Sequence, residues 1–485
     1  MCFRTQTARN PQHVIGPSAS HTGSQKRGVA TRLALPWSPR IVNGALCLCC
    51  TGVKTGRHST ARVVPLRRAP TEWSARARHG SYGGGPRPGG GGVLAVLYSF
   101  PFALGSPGIG WTAWNQANEL VRAGVDVHVV AASIARPVEG AASVRTTLTV
   151  RGRRVPHRLV GRSRAMRIHD AVTAGLVGRL LDGGADDVVH AWPLASARTL
   201  RVARRRGIPG VREVPNTHTA HAYEVVAREY AALGLEPRRG ESHTVDPHRL
   251  AIEESEYAAA AGLLVPSEAV ADTFLARGFA DDRLLRHRYG CTVSAPPARD
   301  TDGPFTAVFL GRGTPRKGLH TALQAWTASK AATEGRFLIY GLLDEDYAAY
   351  LAPLLAHPSV EVRGVTSEPM RVLASADVLL LPSVEEGSAL VTYEAQVAGC
   401  VPLVSTAAGA VIDEGVTGLT HDVGQVDVLT AQLDLLVERP EVLASMSRVA
   451  MARADELSWA SAAQATLAAY RQAARLVRGS TDAAA

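Results

Sequence analysis

Two doubly wound α/β domains, each built on a parallel sheet, are expected from this 485-residue chain. Short, nearly continuous apolar runs such as VLAVLYSF, FTAVFLG, VLLLPS and VPLVST read as strands buried on both faces. Each run is followed by a loop and then an amphipathic helical stretch, the alternation that builds a parallel sheet. The alternation starts near Val93, breaks at a Pro-rich stretch and starts again near Phe305. Two series of this length imply two domains.

Residues 1–92 show no sustained period and end in SYGGGPRPGGGG, a run whose glycines lose much backbone entropy on ordering. This stretch reads as a disordered tail, or as an upstream segment the mature protein does not need. A secretory signal fits poorly, because the apolar run IVNGALCLCC begins only at Ile41. Cys2, Cys47, Cys49 and Cys50 lie here with no second CxxC or nearby His pair, so no metal function is assigned to them.

The domain expected at 93–290 opens with the strand VLAVLYSF and the loop PFALGSPGIG. The helix TAWNQANELVRAG follows, closed by Gly124, and then the strand VDVHVVAA. DDVVHAW and residues 210–216 read as further strands around the helix SARTLRVARRRG. RLAIEESEYAAAA reads as a helix and GLLVPS as a strand. CTVSAPPARDTDG, residues 291–303, is the expected linker. The second domain, 304–457, runs FTAVFLG, the loop RGTPRKG, the helix LHTALQAWTAS, then the strands FLIYG and VEVRG. PMRVLASA, VLLLPS, the loop VEEGSAL, the helix VTYEAQVAG and the strand VPLVST complete it. A last helix is expected over 458–475. Cys291 and Cys400, in apolar surroundings, read as buried reduced thiols of a cytoplasmic protein.

Residues 1–92 hold 14 Lys and Arg against one acid, Glu72, whereas the remainder holds 39 bases and 42 acids. Basic character is therefore assigned to the tail alone, and a nucleic-acid partner for the body lacks electrostatic support. No stretch approaches the roughly 18 apolar residues of a membrane-spanning helix.

Open α/β sheets bind ligands at the carboxyl ends of their strands, so the loops there carry the function. In VEEGSALVTYEAQVAG, Glu386 and Glu394 have seven residues between them, with Gly387 and Ser388 opening the intervening helix. A carboxylate can accept from both hydroxyls of a sugar diol, and helix-start amides favour an anion. In FLGRGTPRKG, Arg312, Arg316 and Lys317 follow a strand and could hold a departing diphosphate. Solvated charges on loops and a helix face are the alternative reading of both segments. The second is not a GxxxxGK[ST] phosphate loop.

GRGTPRKG, followed by LLLPSVEEGSALVTYEAQVAG and VPLVSTAAGAVIDEGVTG, resembles the retaining GT-B glycosyltransferases of glycosyltransferase family 4. The resemblance spans residues 93 to about 475. It implies GT-B architecture, two Rossmann-like domains facing an interdomain cleft, with the last helix crossing back to the first domain. It also implies transfer of a sugar from a UDP- or GDP-linked donor, with retention, to a glycan, lipid or small-molecule hydroxyl. Arg312 and Lys317 would hold the donor diphosphate, with Arg316 in support. Glu394 would hold the ribose, with Gly387 and Ser388 beside it, and Glu386 would contact the transferred sugar. In GSPGIGW, Gly108 and Gly110 would admit backbone amides to the donor. His218, in REVPNTHTAHAYE, matches the family's histidine near the donor sugar, with His221 and His190 as weaker candidates. Trp459 and Tyr470 read as packing residues.

No cofactor or metal is expected, DED at 344–346 reading as a solvated helix start. A nucleotide-sugar epimerase or a non-catalytic nucleotide-sugar binding protein on the same scaffold are the rival functions. A cytoplasmic location is expected, and the basic tail is compatible with peripheral contact to an anionic membrane.

Overall fold

The computed structural model describes residues 94–482 apart from 151–152, 156–159, 185–186, 239, 242 and 294–302. The expectations for residues 1–92, their four cysteines included, and for most of the 291–303 linker lie outside the described residues.

In the first half, β1 (Ala95–Leu104), β2 (Asp126–Ile134), β3 (Ser143–Thr146) and a short antiparallel hairpin of β4 (Thr149–Val150) and β5 (Arg153–Arg154) come first. β6 (Val188–Ala191), β7 (Gly210–Glu213), β8 (Gly262–Val265) and β9 (Leu284–Arg286) follow. Seven of these strands form one parallel sheet in the order β3-β2-β1-β6-β7-β8-β9. The second half contributes β10 (Thr306–Leu310), β11 (Arg336–Tyr340), β12 (Val360–Gly364), β13 (Val378–Leu381), β14 (Val401–Ser405) and β15 (Leu419–His421). They form a six-stranded parallel sheet ordered β12-β11-β10-β13-β14-β15. In both sheets the order reverses beside the first strand, which opens a crevice at the carboxyl ends of β1/β6 and β10/β13.

Helices α1 (Ile109–Arg122), α2 (Arg162–Leu180), α3 (Ala197–Arg205), α4 (Thr219–Ala232), α5 (Pro247–Ala259) and α6 (Glu268–Leu275) belong to the first half. Helices α7 (Leu319–Ala328), α8 (Ala331–Glu334), α9 (Glu345–Leu355), α10 (Pro369–Ala374), α11 (Leu390–Ala398), α12 (Val426–Glu438) and α13 (Pro440–Ala452) belong to the second. β13 and β14 are buried along their whole length, which is why VLLL and VPLVS are continuous apolar runs rather than alternating ones. One apolar core fills the second half, and two flank the first sheet. Cys291 and Cys400 are buried, with no disulfide between them.

The last helix, α14 (Trp459–Asp482), rests on α1, β7, β8 and β9 of the first half. Its Trp459 and Tyr470 are buried. The Cys291 amide donates to the Leu457 carbonyl at 2.8 Å, so the two chain crossings between the halves run side by side.

Three local features differ from the reading of the sequence. β1 continues through PFAL, residues taken as loop, with its register shifting between Phe100 and Ala103. Pro101 has no amide proton for the ladder, so the strand bulges around it instead of ending. Helix α2 was not read, because four arginines and no strong apolar stripe obscure its period. Helix α4 was not read either, although Ala222, Tyr223, Val226 and Tyr230 mark a buried helical face.

Candidate active site

The carboxyl ends of the two sheets face each other across a cleft of about 1970 Å³. On the first-half side it is lined by the β1–α1 loop and the first turn of α1, with Gly108, Ile109 and Trp111. Opposite stand Arg316 and Lys317 from the β10–α7 loop and Glu386 and Ser388 from the β13–α11 loop. The first turns of α1 and α11 contain no acid and neither helix has a side-chain cap, so the positive ends of two helix dipoles open on the same hollow.

Backbone geometry brings the two second-half loops together. Gly318 has φ 69°, and a Cβ there would stand 1.9 Å from the Pro382 carbonyl oxygen. Only glycine lets the cation loop lie this close to the end of β13. The Val384 amide then donates to the Arg316 carbonyl at 2.8 Å.

Charge is concentrated at this junction. Lys317 Nζ makes direct contact with Glu386 Oε1, and Arg316 Nη1 lies 3.2 Å from the same oxygen. Glu386 Oε1 has no well-aligned hydrogen-bond donor, so these are charge contacts. Burial alone would push the Glu386 carboxyl up, but Arg316 and then Lys317 bring it down to about 2. Burial lowers Lys317, against the pull of Glu386, which favours its charge. Arg316 also reaches the fully buried Glu385, with Nη1 3.1 Å from Oε2 and 2.6 Å from the backbone oxygen. Glu385 Oε1 in turn accepts from the Thr217 amide at 3.1 Å and the Thr217 hydroxyl at 2.7 Å, across the junction of the halves.

The residues picked out in the sequence are thus divided. Gly108, Lys317, Glu386 and Ser388 line the cleft. Ser388 Oγ is held by Tyr393 Oη at 2.8 Å and the Gly409 carbonyl at 3.0 Å. Glu394 lies one turn beyond the cleft-lining Leu390 and Val391, half-buried and with no cation paired to it among the described residues. Burial pushes its carboxyl up to about 7.

Arg312 turns away. Its guanidinium binds Asp344 Oδ1 at 2.7 and 3.1 Å and lines an adjoining hollow of about 760 Å³, beyond Arg316 and Lys317. Asp344 heads α9 as expected of DED, but it is buried rather than solvated, and a buried carboxylate needs a cation. Gly110 packs its Cα closely against Ser106 and the Ala103 carbonyl within the loop, where a Cβ would not fit. Gly387 packs against the backbone of Pro215 and Asn216 in the first half.

His218 is not among the residues that line the cleft. Its side chain caps α4, Nδ1 accepting from the Ala220 amide at 3.2 Å, and packs among Tyr257, Phe274 and Phe279. It borders a separate hollow with Arg277 and Arg283. Burial lowers it to about 4, and nothing places its ring in the cleft. His221 lies in the first turn of α4. His190 is fully buried, its Nδ1 2.6 Å from Tyr470 Oη and its Nε2 3.1 Å from Glu213.

Two features went unread. Glu385 was overlooked beside Glu386, although a second acid in VEEG is visible. Arg136 also borders the cleft, its guanidinium 4.7 Å above the Trp111 ring, a pairing across the β2 end that no local motif announces. Among the described residues no group of three or more His, Cys, Asp or Glu is arranged to hold a metal ion.

Comparison with known proteins agrees with this frame. Residues 107–285 match the model of Glycosyltransferase Family 4, and residues 304–439 match Glycosyl transferases group 1. The chain is similar to D-inositol 3-phosphate glycosyltransferase of Segniliparus rotundus, at 28% identity over 54% of this chain and 62% of the relative. It is likewise similar to that of Mycolicibacterium smegmatis, at 29% identity over 59% of this chain and 67% of the relative. For the Segniliparus protein the match spans less than two thirds of the relative's own length. Among solved structures, the lipopolysaccharide outer core galactosyltransferase WaaB superposes with TM-score 0.56, at 13% identity over 78% of this chain and 99% of that one. Anabaena HepE in complex with UDP superposes with TM-score 0.53, at 15% identity over 77% of this chain and 97% of that one. With its two parallel-sheet halves and both family models matched in order, the chain belongs to the glycosyltransferase family 4 group of GT-B glycosyltransferases.

Proposed function

We propose that the protein transfers a sugar from a nucleotide-diphosphate donor to a hydroxyl acceptor, with retention at the anomeric carbon and without an essential metal. The convergence of Arg316 and Lys317 on Glu386 in the cleft carries this reading. Fixed cations and two helix starts make a positive pole for a diphosphate, and the adjacent carboxylate suits the sugar that leaves it. HepE is a structural neighbour seen with UDP, which favours a uridine donor over a guanosine one here. Relatives that act on D-inositol 3-phosphate favour a polyol-type acceptor.

In this scheme the bond from the anomeric carbon to the phosphate oxygen breaks as the bond to the acceptor oxygen forms on the same face. The acceptor proton passes to the departing phosphate. Arg316 and Lys317 stabilise the charge that develops there, Glu386 orients the sugar, and Glu394 accepts from the ribose diol. Cleft residues of both halves exclude water that would hydrolyse the donor.

Melting curves with UDP, GDP and their sugars test the donor, since a ligand of the folded form raises the midpoint. A shift with uridine compounds is expected. Absence of any shift, together with no transfer or donor consumption, would reject the reading. Donor conversion to an isomer without acceptor would favour an epimerase. Activity should persist in excess chelator, and loss restored only by Mg²⁺ or Mn²⁺ would overturn the metal-free assignment.

A further inference from the structure

The net charge of the body conceals a strong local imbalance. Between Gly140 and Arg212 the sequence holds 15 arginines, no lysine and four acids, inside a body where acids otherwise predominate. Assigning basic character to the tail alone was therefore incomplete. The structure gathers much of this charge on two helices that pack against each other, α2 and α3. Helix α3 buries Thr199, Leu200 and Ala203 and turns Arg201, Arg204 and Arg205 outward, with Arg206 just beyond its end. Helix α2 exposes Arg164 and Arg167. Among the described residues none of these six side chains is paired with a carboxylate. The acid between them, Asp170, is taken up by the first turn of α3, accepting from the Arg198 and Thr199 amides at 2.8 Å each.

Two apolar side chains are exposed on α2 itself. Ile168 is 38% and Val172 42% exposed, and with Arg164 they recur every four residues along one stripe of α2. Unpaired arginines interleaved with exposed aliphatic groups suit a surface that is negative at its boundary and apolar beneath. A nucleic acid would use the charge but not the aliphatic groups. The segment offers no stacking platform either, its one aromatic residue, Trp192, being fully buried.

We propose that the α2–α3 face docks the protein on an anionic lipid bilayer, with the arginines at the headgroups and Ile168 and Val172 entering the interface. The surface is distinct from the cleft residues above, and docking does not depend on which sugar is transferred.

Full-length protein sedimented with vesicles of phosphatidylcholine alone, or mixed with phosphatidylglycerol, tests this directly. Binding to the anionic vesicles only is expected, weakening with salt. One basic residue near such a surface is worth about fivefold in partition, so neutralising four should weaken binding by about a hundredfold or more. The variant is Arg164→Gln, Arg167→Gln, Arg201→Gln and Arg205→Gln together, its melting point confirming the fold. A second variant, Ile168→Ser with Val172→Ser, should weaken binding with the charge intact. A third, Arg62→Gln, Arg67→Gln, Arg68→Gln and Arg76→Gln, removes equal charge from the N-terminal segment and should change binding much less. The proposal is overturned if wild type ignores anionic vesicles, or if only the third variant loses binding. It is also overturned if a duplex oligonucleotide, but not the vesicles, shows the dependence on the four α2–α3 arginines.

Discussion

Lys317 Nζ touches Glu386 Oε1, so the cation and the carboxylate proposed to receive a sugar diphosphate neutralise each other before it arrives. The donor must separate them, and part of its binding free energy replaces a contact already present. Removing the acid should therefore help the anion while harming the chemistry. For Glu386→Gln, nucleoside diphosphate should bind about tenfold more tightly, the gain expected for a cation freed of one close partner. Transfer should fall by about a hundredfold or more, because the sugar loses its orienting carboxylate. Lys317→Ala should weaken diphosphate binding and turnover together. Calorimetric titration beside initial-rate assays reads both. Weaker diphosphate binding in Glu386→Gln would show that the pair does not compete with the ligand.

Glu394 yields a prediction in pH. Burial holds its carboxyl at about 7 in the fold against 4.5 for the free group. A carboxyl raised on folding favours the folded state fully below the unfolded value, and that contribution is lost as pH rises through the interval towards 7. The ionised side chain then costs up to about 3 kcal/mol, an order-of-magnitude figure from the size of the shift. Glu394→Gln should accordingly melt higher than wild type at about pH 8 and no higher at about pH 4.5. The same variant should lose donor affinity, the expected conflict between stability and a binding group held in place. Wild-type donor affinity should also decline as pH falls below about 7, where the carboxylate takes up its proton. Equal melting of the two proteins at alkaline pH would contradict the burial argument.

What could be read from the residues follows from the range of the interactions involved. Continuous apolar runs such as VLLL and VPLVS announce buried strands because burial on both faces is a local requirement. The β10–α7 and β13–α11 loops were legible too, since Gly318, Lys317, Glu386 and Ser388 are close in sequence to the strand ends they decorate. Direction was not legible. Arg312 and Arg316 are four residues apart in one loop, and only the buried Asp344, from the neighbouring loop after β11, decides which of them leaves the cleft. The setting of His218 was not legible either, because its aromatic cage is built from Phe274 and Phe279, distant residues that no motif around it reveals.

The joint between the halves has little slack at Gly387. A Cβ there would stand 1.8 Å from the Pro215 carbonyl oxygen, backbone against backbone, with Glu385 bonded to Thr217 close by. A methyl group cannot be absorbed by a rotamer change, so Gly387→Ala must push the two loops apart. Overpacking of this kind costs about 1–3 kcal/mol, and here it also displaces the neighbouring Glu386. The variant should melt lower and lose turnover, whereas Gly424→Ala, at a left-handed glycine with open space around it, should lose stability alone. Unimpaired transfer in Gly387→Ala would mean the close contact is not needed in the reacting state.

Tyr470 tests the crossing helix. Its hydroxyl lies 2.6 Å from His190 Nδ1, and the far side of that ring faces Glu213 at 3.1 Å. Glu213 also accepts from Tyr289 Oη at 2.8 Å, and Tyr289 borders the cleft. A fully buried polar chain thus runs from α14 through the first sheet to the wall of the site. Tyr470→Phe keeps the ring and deletes one hydroxyl, leaving a buried imidazole nitrogen without its partner. Such a loss costs about 1–3 kcal/mol, far more than the removed oxygen's share of packing. The denaturation midpoint should fall by the corresponding amount with an unchanged denaturant slope, because the fold itself is retained. Tyr470→Ala should cost more, since it also opens a cavity beside Trp192 and Tyr98 in the same apolar core. If Tyr470→Phe melts as wild type does, the hydroxyl contributes nothing and α14 is held by apolar packing alone.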